Sequence, residues 1–173
     1  ALGSDTGGSI RFPSACCGLV GLKPTYGRVS LHGAFPLASS LDHIGPLTRS
    51  VEDAARMLLV IAGEDSNDPN SLQAPVSDLH GDLASLDPAK VHIGVDWHFV
   101  SAGVAPAIVA FMRSAVEQLN EIGFNIVDVT LPESYQTLAE HWPVTCGKEC
   151  AATHASMFAS QRTAYGPGLA SLI

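Results

Sequence analysis

An excess of acidic residues marks this 173-residue chain, in which 17 Asp and Glu stand against 9 Lys and Arg and give a net charge of −8. Because no run of Lys or Arg occurs, the chain offers no basic surface for nucleic acid or an anionic membrane, and direct binding of either is not expected. No apolar stretch reaches the roughly 18 residues of a membrane span, and a hydrophobic content of 46% is typical of a globular chain with a core.

The cysteines indicate the redox environment of the protein, and the chain ends indicate whether the sequence is a fragment. Cys16 and Cys17 are neighbours, and Cys146 and Cys150 are four positions apart, which fits neither a disulfide scaffold nor a zinc ribbon. A reducing, cytoplasmic environment is therefore expected. The chain starts at Ala1 without a Met or a signal peptide and stops inside what looks like a helix, so an interior fragment of a longer protein is expected.

The predicted elements begin with turns and short strands over residues 1–49, which are rich in Gly, Ser and Pro. A helix follows, with Ser50 as its N-cap, Asp53 completing a capping box and Gly63 at its end. Residues 64–90 are polar and without periodicity, which predicts a surface connection.

A βαβ unit is predicted over residues 91–131, with strands at 91–95 and 124–131 around a helix at 106–122. Apolar residues at helical spacing predict one buried face on that helix, and the strands are expected to be parallel. The first strand is not followed by the glycine pattern of a dinucleotide-binding loop, so no such cofactor is expected.

A last helix is predicted over residues 145–160, within a helical segment, 145–173, that the chain end interrupts. Helices and strands in this order predict an α/β fold, a mixed sheet wrapped by helices and present only in part. Residues 1–173 are expected to belong to a single domain.

A glycine-rich turn carries the chemistry, because residues 3–13 read Gly-Ser-Asp-Thr-Gly-Gly-Ser-Ile-Arg-Phe-Pro. Two glycines before a serine permit a tight turn in which successive backbone N–H groups point the same way. A carbonyl attacked by Ser9 would develop negative charge where the N–H groups of Thr6, Gly7 and Gly8 converge. The turn therefore predicts a serine nucleophile beside its own oxyanion hole.

Three neighbours are expected to support this turn. Asp5 and Arg11 are predicted to pair with each other, and Ser4 to hydrogen-bond within the turn. A Gly-Gly-Ser triplet alone is also common in loops and helix caps without catalytic function. The interpretation therefore depends on the surrounding sequence.

That surrounding sequence resembles the amidase signature family over residues 4–14, 17–29 and 40–54. The similarity is specific within a signature core, residues 1–62, and diffuse beyond it. It implies the amidase signature fold and a Ser-Ser-Lys mechanism in which Ser9 is the nucleophile. The relay serine, in a cis peptide, and the lysine base belong upstream of this chain. The resemblance implies a seryl acyl-enzyme that water hydrolyses, with no metal and no cofactor.

Two residues of the chain are alternative candidates for the base that activates Ser9. Lys23 lies in a stretch that matches the family away from its catalytic lysine, and is interpreted as structural. His43 follows Asp42 and invites a Ser-His-Asp triad with Ser9, an arrangement that only geometry can establish.

The remaining cysteines and one histidine raise a metal site as a further alternative. Cys146, Cys150 and His154 fall on one helix face, but three ligands over two turns fit a tetrahedral ion poorly, so a half-buried apolar face is expected instead. Cys16 and Cys17 are expected to pack beside the turn without being reactive.

Hydrolysis of a small-molecule amide is the first functional hypothesis. A glutaminase similar to the A subunit of glutamyl-tRNA amidotransferases is the second, although residues 149–154 and 165–167 look more like stand-alone amidases. A binding module that has lost its base is the third. The isolated chain is expected to be inactive and poorly folded, because it would expose sheet edges and apolar faces. The oligomeric state is open, with a homodimer as one candidate.

Overall fold

Three short strands form an antiparallel sheet near the start of the chain. Strands β1 (Leu2–Asp5) and β2 (Val20–Gly21) both pair with β3 (His43–Thr48), which gives the order β1-β3-β2. The computed structural model describes residues 1–132 and 134–173, apart from the side chains at positions 80, 83, 134 and 136. The short strands predicted for this part of the chain are confirmed.

A short helix, α1 (Arg11–Cys16), follows β1 and was not predicted. Its first N–H groups are satisfied from outside the helix, because the Asp5 carboxylate accepts hydrogen bonds from the N–H groups of Ile10 and Arg11. The Ile10 side chain is fully buried at 0% exposure, which anchors the helix to the sheet. The turn between β1 and α1 is therefore fixed at both of its ends.

Helix α2 (Val51–Ile61) confirms the predicted helix and its start. The Asp53 N–H donates to the Ser50 hydroxyl at 3.1 Å, and Ala54, Ala55 and Leu58 are buried.

The expectation of an irregular connection over residues 64–90 is wrong in part. This stretch contains α3 (Leu79–Ala84) and a 3₁₀ turn (Pro88–Lys90). The Asp87 carboxylate caps that turn by accepting from the Ala89 N–H. Such one-turn elements are too short to generate the apolar periodicity on which the prediction relied.

The chain divides into two compact units, one formed by residues 1–83 with 140–173 and the other by residues 84–139. In the second unit β4 (His92–Val95) and β5 (Asn125–Asp128) are parallel, with α5 (Pro106–Glu121) between them in sequence. The predicted βαβ unit is confirmed. A short additional helix, α4 (Trp97–Ser101), follows β4.

The face of α5 that the sequence predicts to be buried is only half-buried, at Val109, Val116 and Leu119. No residue of α5 is buried, and Phe111 and Ile108 are 70% and 54% exposed. The sheet of this unit has only two strands, which is too narrow to cover an amphipathic helix of this length.

Helix α6 (Ser134–Gln161) extends well beyond the predicted residues 145–160 at its N-terminal side. Pro143 lies inside it, a residue that removes one helical hydrogen bond and usually marks a helix end. A 3₁₀ turn (Arg162–Ala164) and α7 (Pro167–Ala170) complete the chain. Across the described residues, no helix combines the length and the apolar character needed to cross a membrane.

Candidate active site

The predicted nucleophile lies in the turn that joins β1 to α1. Ser9 is exposed, whereas the next residue, Ile10, is fully buried. Burial of the isoleucine anchors the backbone at this point, and the serine side chain is left at the surface. Ser9, Ser4 and Thr6 line a cavity of about 300 Å³.

Loop residues form most of the rest of that cavity, together with Ile44 of β3. They include Leu31, Phe35, Leu37, Asn67 and Asn70. The wall therefore combines apolar side chains with a few polar ones, as is usual for small-molecule sites.

The Asp5 carboxylate organises the turn. It accepts hydrogen bonds from the Gly8 N–H at 2.7 Å and the Ile10 N–H at 3.2 Å, and from the Arg11 guanidinium at 2.9 and 3.0 Å. Although burial alone would raise the pKa of Asp5, the hydrogen bonds from Arg11 and the backbone outweigh it and lower that pKa to about 2. The predicted pairing of Asp5 with Arg11 is observed.

One of the three expected oxyanion donors is already engaged. Gly8 adopts a φ of 131°, a value that glycine tolerates, and its N–H donates to Asp5. The structure thus differs from the expectation at Gly8. Among the described residues the N–H groups of Thr6 and Gly7 have no hydrogen-bond acceptor, which leaves two of the three donors open.

Ser4 also differs from its expected role. Its side chain lines the cavity, and it forms no hydrogen bond with any described residue of the turn.

Two residues that sequence reasoning did not assign to the site hold Thr6. The Thr6 hydroxyl donates to the Asp42 carboxylate, which also accepts from the N–H groups of Leu37 and Ala38. The Thr6 carbonyl accepts from the indole N–H of Trp142 at 3.1 Å. Asp42 lies within the motif of residues 40–54, and its sequence context indicates only an association with His43. Trp142 is 136 positions from Thr6, and no local pattern indicates it.

The alternative bases are placed elsewhere. The His43 Nδ1 lies 2.7 Å from the Leu41 carbonyl oxygen, and the ring packs edge-on against Tyr26. The Asp42 carboxylate is engaged by Thr6 and the backbone, so the proposed Ser-His-Asp triad is not formed. The Lys23 ammonium donates to the Pro24 carbonyl at 2.9 Å, and neither Lys23 nor His43 lines the cavity beside Ser9.

The face formed by Cys146, Cys150 and His154 is more buried than expected, with exposures of 1%, 0% and 2%. Burial raises the pKa of both thiols. The His154 Nδ1 lies 2.9 Å from the Tyr165 hydroxyl, and within the described part of the chain no cluster of three or more His, Cys, Asp or Glu is placed to hold a metal ion.

Cys16 and Cys17 are exposed, so the expectation that they pack beside the turn is wrong.

The sequence of this chain matches a known protein family. The model of the Amidase family matches residues 1–164, so the chain belongs to that family, as its motifs indicated. The A subunit of the glutamyl-tRNA(Gln) amidotransferase of Nitratidesulfovibrio vulgaris (strain DP4) is 49% identical over 145 residues, which are 83% of this chain and 30% of that protein. The chain therefore spans about a third or less of such relatives.

Solved structures agree on the fold. The crystal structure of the A subunit of glutamyl-tRNA(Gln) amidotransferase from Thermotoga maritima superposes with a TM-score of 0.78 at 34% identity, over 88% of this chain and 33% of that one. Native peptide amidase from Stenotrophomonas maltophilia gives a TM-score of 0.73 at 35% identity, over 94% of this chain and 33% of that one. The α/β amidase signature fold, present in part, is thus confirmed.

Proposed function

We propose that this chain supplies the nucleophile and the oxyanion site of an enzyme that hydrolyses a carbon–nitrogen amide bond. The observation that carries the proposal is the position of Ser9, exposed on the wall of a cavity of about 300 Å³ beside the open N–H groups of Thr6 and Gly7. The amide substrate is a small molecule that enters this cavity.

The reaction proceeds through a covalent intermediate. The Ser9 hydroxyl oxygen attacks the amide carbon as its proton passes to a base, and the carbonyl oxygen becomes negatively charged. The N–H groups of Thr6 and Gly7 stabilise that charge, and one such donor is worth about 3–4 kcal/mol of barrier. The C–N bond then breaks, the amine leaves with the transferred proton, and water hydrolyses the resulting ester on Ser9.

The base lies outside these residues in the proposed mechanism. Lys23 donates to a backbone carbonyl, and none of Lys23, Lys90 and Lys148 lines the cavity beside Ser9. The family resemblance assigns the role to an upstream lysine, kept neutral by burial, and the relay to an upstream cis-serine. The relatives have ample additional length for both.

A glutaminase role is the second candidate, and sequence identity favours it. The relative at 49% identity is the A subunit of a glutamyl-tRNA(Gln) amidotransferase, and a second relative of that name, from Akkermansia muciniphila, is 45% identical. Release of ammonia from glutamine, together with co-purification of partner subunits, would favour this role over that of a stand-alone amidase.

The oligomeric state and the location are separate from the choice of substrate. A homodimer and a cytoplasmic location stay predictions.

The test is covalent labelling of the full-length protein with a fluorophosphonate, followed by mass spectrometry. We expect the label on Ser9, and we expect Ser9→Ala to abolish labelling and to lower kcat on amides by roughly a thousandfold or more. Ser160→Ala, an exposed serine on α6, is the matched control. The isolated 173-residue chain is expected to stay unlabelled.

A label on another serine would refute the assignment of the nucleophile. A full-length protein that is neither labelled nor active would instead support the third hypothesis, a non-catalytic binding module. Turnover by the isolated chain that Ser9→Ala abolishes would refute the external base.

A further inference from the structure

Trp142 is distant in sequence from the turn of residues 6–10, called here the nucleophile turn because it carries Ser9, and yet contacts it. Its indole N–H donates to the Thr6 carbonyl at 3.1 Å. Its ring also covers Gly7 so closely that a Cβ built on that glycine would collide with the ring atom Cζ2. The ring therefore occupies one side of the peptide that joins Thr6 to Gly7.

That hydrogen bond controls the direction of an oxyanion donor. In a planar trans peptide the C=O and the N–H point in opposite directions, and the Thr6 carbonyl shares its peptide with the Gly7 N–H. Since the indole holds the carbonyl toward Trp142, the Gly7 N–H must point away from the ring. We propose that Trp142 is a positioning residue that aims the Gly7 N–H at the oxyanion, a role that rests on the function proposed above.

The second peptide of Gly7 is held independently. The Gly8 N–H donates to Asp5 at 2.7 Å, which fixes the peptide between Gly7 and Gly8. A glycine has little intrinsic restriction on its backbone angles, so without such anchors either peptide could rotate. Asp5 restrains one side of Gly7 and Trp142 the other.

Helix α6 is itself anchored to the same part of the chain. The Glu149 carboxylate accepts hydrogen bonds from the N–H of Ser40, at 3.0 Å, and from its hydroxyl. Residues 142 and 149 are separated by about two helical turns and so lie on one face of the helix. This second attachment fixes the height and rotation of α6, and with them the position of the indole.

The test removes the indole N–H from the full-length protein and keeps an aromatic ring. We expect Trp142→Phe to lower kcat on amides and the rate of fluorophosphonate labelling about tenfold, with KM unchanged, because a misdirected donor costs less than the roughly hundredfold or more of a lost one. The control is Trp97→Phe, which removes a tryptophan stacked on Arg113 in the other unit and should change neither rate.

A sharper variant replaces Trp142 with benzothienylalanine, which keeps the shape of the ring system and puts sulfur in place of the N–H. It also decides the matter if the phenylalanine variant fails to fold. A tenfold slower labelling with an unchanged melting temperature supports the proposal, and labelling at the original rate overturns the role of Trp142 alone. If the unsubstituted protein is not labelled at Ser9, the function proposed above fails and this role fails with it.

Discussion

The nucleophile turn and the βαβ unit of residues 84–139 are built in opposite ways. The turn is held by polar contacts around a fully buried Asp5 and an apolar anchor, Ile10, both at 0% exposure. The βαβ unit has regular elements, yet its longest helix, α5, has no buried residue. The comparison teaches that the turn is stabilised by contacts within this chain, whereas α5 has no layer of this chain that buries it.

The largest effect is expected at the centre of the turn. Asp5→Asn removes the charge that binds Arg11 and weakens the hydrogen bonds to Gly8 and Ile10. We expect a loss of about 3 kcal/mol in the free energy of unfolding and slower labelling of Ser9, measured on the full-length protein by denaturant unfolding and by fluorophosphonate kinetics.

The control for this substitution is Glu52→Gln, which breaks an exposed ion pair with Arg56 on α2. It should cost no more than about 0.5 kcal/mol. Equal losses in the two variants would mean that the polar contacts of the turn are worth no more than those of the surface.

A pH dependence of intermediate size follows from the lowered pKa of Asp5, about 2 against an ordinary 3.8. A depressed carboxyl pKa stabilises the folded state above the unfolded pKa, and that contribution is lost as the pH falls from about 4 through 2. The contribution is about 2 kcal/mol. Between pH 5 and pH 2 the free energy of unfolding should fall by about 2 kcal/mol more in the unsubstituted protein than in Asp5→Asn. Parallel plots of the free energy of unfolding against pH for the two proteins would contradict this.

The smallest effect is expected in the βαβ unit. Phe111 is 70% exposed, so Phe111→Ser should change the free energy of unfolding of the full-length protein by less than about 0.5 kcal/mol, measured by denaturant unfolding. A loss of about 3 kcal/mol would contradict this and would show that α5 is covered in the full-length protein.

The sequence predicted those features whose signals are local. Ser50 indicated the start of α2 because its hydroxyl caps the helix directly. Helix α1 has no capping residue directly before it in the sequence, because its first N–H groups donate to Asp5, which lies several positions upstream in a strand. The extension of α6 past Pro143 runs against the usual effect of proline, which removes one helical hydrogen bond and so predicts a helix end.

In the candidate site, too, the features with local sequence signals were the ones that could be predicted. Glycines beside a serine indicated the turn, and the opposite charges of Asp5 and Arg11 indicated their pairing. The hydrogen bond of the Gly8 N–H could not be predicted, because only the folded backbone brings this N–H within reach of the Asp5 carboxylate. The contact of Trp142 with Thr6 joins residues 136 positions apart, and a single sequence carries no record of it.

The many hydrogen bonds of Asp5 limit how small a transferable version of this turn can be. Its carboxylate starts α1, closes the turn and neutralises Arg11, so these functions cannot be transplanted one at a time. Grafting only the Gly-Gly-Ser triplet onto a new scaffold would transfer the hydroxyl without the hydrogen bonds to Asp5 that hold the turn. The smallest transferable unit runs from Asp5 to Arg11, and under the role proposed for Trp142 it also requires an indole N–H from a second element.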